Sequence, residues 1–198
     1  MIRLIIKSTL IFLINFIIAS ENNTSGVNTV ESSKDSLDSI IEILLDDINK
    51  VPDFSLYSSD DQSYNIRNLE GNVILLNFWA TWCGPCRAEI PELNEIQKLY
   101  GDENFIVLGV SISDTKKALK DFMEIYDVNY PLLYGSTKEI EKILIDYGGI
   151  YSVPTSILIN KKGEMVFNYP GAILKEYDKW DGAYSYLNTK IQEALKDS

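Results

Sequence analysis

From Val73 to Ala80 the chain reads VILLNFWA, nearly continuous in apolar residues. A strand covered on both faces reads this way. Phe105 to Ser111 (FIVLGVS) repeats the pattern and predicts a second buried strand. Phe54–Tyr57 and Gln62–Asn65 flank the polar turn Ser58-Ser59-Asp60-Asp61, which predicts a short hairpin. Tyr130–Tyr134, Thr155–Ile159 and Met165–Asn168 are predicted strands, the last two joined by a turn over Asn160–Gly163. Helical spacing takes over between them. A helix is predicted from Cys83 to about Tyr100, and Pro91 is expected to kink it. Thr115–Tyr126 places Ala118, Leu119, Phe122 and either Ile125 or Tyr126 on one face. Lys138–Tyr147 turns Ile140, Ile143 and Leu144 inward, and Tyr184–Lys196 does the same with Leu187, Ile191 and Leu195. Strands alternating with helices, closed by a hairpin and a helix, predict an α/β sheet with helices on both faces.

The N-terminus follows other rules. Met1–Lys7 is basic through Arg3 and Lys7, and Leu10–Ala19 is apolar except for Asn15. Residues 1–20 therefore read as a signal peptide. Its cleavage signal is weak, so the same segment also fits an uncleaved N-terminal anchor. A polar linker rich in Asn, Ser and Thr follows, and then an amphipathic helix over Ser36–Asn49, carrying Leu37, Ile40, Ile41, Leu44 and Ile48. The expected division is 1–20, 21–50 for linker and helix, and 51–198 for the compact domain.

Charge and composition narrow the chemistry. The 198 residues carry a formal charge of −11, and loss of residues 1–20 would make it −13. That balance argues against a nucleic-acid partner, and it leaves the N-terminal segment as the one route to a membrane. There is no histidine, which removes imidazole catalysis and histidine metal sites. The two cysteines form Trp82-Cys83-Gly84-Pro85-Cys86, at the junction of a buried strand and a helix. A helix N-terminus stabilises a thiolate, so Cys83 is expected to be the exposed nucleophile and Cys86, one turn on, the buried resolving thiol. Pro85 suits the first helical turn, and Gly84 is read as permitting the tight turn and keeping the sulfur accessible. Zinc needs about four ligands, and no third cysteine exists, so no metal is expected. A structural bridge three residues apart closes too small a loop to stabilise much. Redox cycling by thiol–disulfide exchange is the favoured reading, with no cofactor beyond the Cys83–Cys86 disulfide itself.

The run Val73–Glu89 closely resembles the thioredoxin superfamily, specifically the exported TlpA/ResA-type thiol–disulfide oxidoreductases. The likeness extends from the Val51-Pro52-Asp53-Phe54 opening to the C-terminus, and includes an extra strand–helix stretch around Gly109–Pro131. It implies a thioredoxin-like fold with a central mixed sheet, and a periplasmic or otherwise extracytoplasmic location. By the same resemblance Pro154, in Val153-Pro154-Thr155, is a cis-proline facing the cysteines, with the Val153 backbone holding the substrate. Glu89 is an active-site acid that exchanges protons with Cys86. Trp82 belongs to the docking surface and Trp79 to the core. Asn77 departs from thioredoxin, which has a buried aspartate there. Clients would be disulfide-containing proteins, recharging would come from a membrane dithiol donor, and cytochrome c maturation is the implied specific role. The Gly-Pro dipeptide favours a reducing potential, nearer roughly −270 mV than −120 mV. A thiol peroxidase is the alternative enzyme, although the chain lacks that class's Thr-rich cysteine loop. A non-catalytic thioredoxin-like binding module is the alternative outside catalysis.

Overall fold

The computed structural model describes residues 49–197. The predicted signal or anchor, the linker and all of the amphipathic helix except Asn49 lie outside the described residues. The strands are β1 Ser55–Ser58, β2 Ser63–Asn65, β3 Val73–Trp79, β4 Phe105–Ser111, β5 Leu132–Tyr134, β6 Thr155–Ile159 and β7 Met165–Pro170. The helices are α1 Gly84–Ala88, α2 Ile90–Tyr100, α3 Lys116–Met123, α4 Thr137–Asp146, α5 Asp178–Asp181 and α6 Ala183–Lys196. One mixed sheet runs in the order β2-β1-β5-β4-β3-β6-β7. β3, β4 and β5 are parallel neighbours, whereas β1, β2, β6 and β7 pair antiparallel.

β3, between β4 and β6, is covered on both faces, and every one of its residues is buried. Side chains alternate across a sheet, so its two faces feed two cores. Val73, Leu75 and Trp79 join Leu93, Ile96, Leu119, Phe122, Leu187 and Ile191, from α2, α3 and α6. Ile74, Leu76 and Phe78 meet Phe54, Leu56, Ile140, Ile143 and Tyr147, from the hairpin side and α4. Asn77 has the parity of Leu75 and Trp79, and so points to the first face. Its antiparallel partner in β6 is Ser156.

Several expectations shift in detail. At the end of α3 it is Tyr126 that packs inward, stacked on Phe122 at 4.2 Å, while Ile125 is exposed. The helix predicted over Cys83–Tyr100 is two helices, α1 and α2, meeting at Glu89. Pro91 has no N–H for the Arg87 carbonyl, and its ring crowds that carbonyl. The chain between β7 and α6, to which the sequence pattern assigned no element, carries the short helix α5 and a 3-10 turn, Lys175–Tyr177.

Candidate active site

β3 delivers the chain to a turn at Ala80–Trp82, and α1 starts immediately after it. Cys83 is the N-cap of α1, in extended conformation, with Pro85 in the first turn. The Cys86 N–H donates to Cys83 Sγ at 3.2 Å. This is the local half of the predicted thiolate stabilisation; the five-residue α1 supplies little macrodipole beyond it. The two sulfurs are bonded to each other, with the Cα atoms 5.3 Å apart.

Cys83 was expected to be exposed, yet it is only 5% accessible, against 2% for Cys86. The cause is the Val153 loop. Val153 O lies 3.8 Å from Cys83 Sγ, and the Val153–Pro154 peptide is cis. The exposed groups of the site are its neighbours. Trp82 is 63% accessible and its indole N–H donates to Ser113 Oγ at 3.0 Å. Tyr151, just ahead of the proline loop, is 97% accessible. Gly84 also differs from expectation. Its φ is not in the left-handed region, so the turn does not require glycine; a Cβ there would enter open space.

Glu89 is fully buried. Its Oε1 accepts from Asn77 Nδ2 at 2.8 Å, and its Oε2 from the Ile173 N–H at 2.9 Å. Burial pushes its carboxyl up to about 7, with both hydrogen bonds opposing the rise and the nearby Glu92 adding to it. Burial raises the Tyr130 phenol as well, and the Glu89 charge adds to that shift.

A further group escapes sequence reasoning. Asp114 accepts the Thr81 N–H at 2.9 Å and the Thr81 hydroxyl at 2.6 Å, and Ser111 Oγ donates to it at 2.7 Å. It thereby ties the end of β4 to the turn that carries Trp82. The only sequence signal is its place just beyond a predicted buried strand. Ile173 gives no signal, because it acts through its main chain. A groove of about 470 Å³ opens on the Ser113–Asp114 side, lined also by Tyr57, Lys116, Tyr134 and Ser136. Among the described residues no three His, Cys, Asp or Glu side chains converge as metal ligands.

A disulfide at the start of a helix, facing a cis-proline loop on this sheet, defines a thiol–disulfide oxidoreductase of the thioredoxin superfamily. Residues 48–181 match the Redoxin family, and the chain belongs to it, as a TlpA/ResA-type member. It is 31% identical over 137 residues to the thioredoxin-like protein YneN of Bacillus subtilis, covering 68% of this chain and 78% of that one. Against the thiol-disulfide oxidoreductase ResA of Oceanobacillus iheyensis it is 31% identical over 141 residues, 69% of each chain. Among solved structures, a thiol:disulfide interchange protein of Chlorobium tepidum superposes with TM-score 0.62 at 26% identity, over 74% of this chain and 96% of that one. The exposed lipoprotein thioredoxin of Streptococcus pneumoniae gives 0.59 at 28% identity, over 72% and 99%.

Proposed function

We propose that this protein reduces disulfides in client proteins outside the cytoplasm, and that the Cys83–Cys86 disulfide is the oxidised end of its cycle. The supporting observation is the pairing of that disulfide with Glu89, a buried carboxyl one turn beyond Cys86 that titrates near neutrality. In the reduced protein the Cys83 thiolate attacks one client sulfur. The client S–S bond breaks, a mixed disulfide forms, and the second client sulfur leaves as a thiolate. Cys86 passes its proton to the Glu89 carboxylate and attacks Cys83 Sγ. The mixed disulfide breaks and the client sulfur that was bound to Cys83 leaves as a thiolate; the two client thiolates take one proton from Glu89 and one from water, and two electrons have left the protein. A general base works best with a pKa near the operating pH, which favours Glu89 for this step.

Trp82, Gly84, Pro85, Val153 and Pro154 form the rim a client meets. The open space in front of Gly84 and the Val153 carbonyl beside Cys83 Sγ support that reading. No cofactor is required beyond the disulfide. A membrane dithiol donor recharges the pair. Export follows from the signal-like residues 1–20, and cytochrome c maturation is the specific role we assign. Replacing Cys86 by Ser should arrest the cycle at the mixed disulfide. Non-reducing gels of the exported fraction are then expected to show adducts through Cys83 that dithiothreitol dissolves. If the variant forms no adduct and wild-type Cys83 resists alkylation after reduction, the enzymatic cycle is wrong.

A further inference from the structure

The group that acts on the thiols is itself held in place. We infer that Asn77 is a positioning residue: from the middle of β3 it grips one oxygen of the Glu89 carboxylate and fixes that group's direction, one turn beyond Cys86. This rests on the proton-transfer reading of Glu89 given above.

The geometry leaves the amide one role. Asn77 is buried, and its Nδ2 makes two contacts, to Glu89 Oε1 at 2.8 Å and to Ser156 Oγ at 3.1 Å. Both amide hydrogens are thus engaged, which sets which end of the amide faces the carboxylate. Ser156 reaches it because β3 and β6 pair Asn77 with Ser156 directly. The other carboxylate oxygen is held by the Ile173 main chain. Two donors from separate segments, one on each oxygen, pin the carboxylate plane. One is a backbone N–H that every residue but proline supplies. The other is a side chain, so Asn77 is where the sequence adjusts the acid.

Asn77 stabilises the ionised form of Glu89 against its burial. The charged or titratable groups that act on Glu89 are Glu92 from α2 and Tyr130 from the segment before β5, and on α1 itself Cys86 lies one turn before it. In the disulfide form the thiols do not titrate, so Glu89 can be followed without them.

The test is a difference-infrared titration of the oxidised full chain, with Glu89→Gln identifying the carboxyl band. In Asn77→Ala the Glu89 midpoint is expected to move alkaline by about one pH unit, because a donor to a charged group is lost. Asn77→Asp keeps the side-chain volume and guards against a misfolded alanine variant. It sets two carboxyls within hydrogen-bond distance, which cannot both ionise freely. The single midpoint is expected to split into two, one below and one above the wild-type value. An unmoved midpoint in Asn77→Ala, or an unsplit one in Asn77→Asp, overturns the inference. The proton-transfer reading is checked separately: Glu89→Gln should change the pH profile of disulfide exchange. If it does not, that reading fails, while the infrared result still decides what Asn77 does to Glu89.

Discussion

Thr81 sits one residue before the exposed Trp82, and its N–H and its hydroxyl both donate to Asp114. The Trp82 indole is held in turn by Ser113, next to Asp114. Arg87 adds a third tie, donating to the Thr81 carbonyl at 2.9 Å. The turn that presents Cys83 is therefore braced from β4 and from α1, although it lies at the surface. Removing the Asp114 carboxylate leaves the Thr81 N–H and two hydroxyls without their acceptor. Asp114→Ala is expected to cost about 1–3 kcal/mol in urea unfolding and to slow reduction of a protein disulfide. Asp114→Asn retains one acceptor oxygen and should recover part of both losses. Equal losses in the two variants would mean that shape, rather than hydrogen bonding, carries the effect.

At the scale of elements, legibility follows from burial and period. β4 and β6 have the predicted bounds, Phe105–Ser111 and Thr155–Ile159, because each is a buried run ended by polar turns. The Cys83 and Cys86 positions were equally plain, since strand, turn and proline fix where the helix begins. Partnerships across the chain were not legible. That Asn77 meets Ser156 depends on strand register, and that Ile173 meets Glu89 depends on a loop 84 residues away. Four-residue α5 is too short to show a period. Gly109 shows the same limit, since a glycine inside a strand does not reveal in sequence what lies against it. In the fold three side chains close on it: a Cβ there would stand 2.8 Å from Leu132 Cδ2, 3.1 Å from Trp79 Nε1 and 3.2 Å from Tyr130 Cε2. Gly109→Ala is expected to destabilise the protein by about 1–3 kcal/mol, through overpacking at the β4 position that pairs with Asn77. An unchanged urea midpoint would show that Leu132 and Trp79 yield freely.

For the whole molecule, the buried carboxyl sets an opposing trend in stability against pH. Glu89 titrates near 7 in the folded chain and near 4.5 when exposed. Between those values the native state keeps a proton that the unfolded state has released. Stability from this group is therefore full at low pH and falls as pH rises towards 7, by about 3 kcal/mol in all. Surface acids such as Glu95, Glu139 and Asp178 are lowered by their partners and act in the reverse sense, losing stability on acidification. The raw pH curve mixes the two trends, and Glu89→Gln separates them. Glutamine cannot ionise, but its amide faces the Asn77 and Ile173 donors with one oxygen instead of two, a loss that does not vary with pH. The stability of the variant relative to wild type is thus expected to rise by roughly 2–3 kcal/mol between pH 5 and pH 8, whatever its offset. Urea unfolding of both oxidised proteins across that range measures it. A constant difference would show that the native carboxyl titrates as an ordinary exposed one, and would remove the basis for proton exchange with Cys86 near neutral pH.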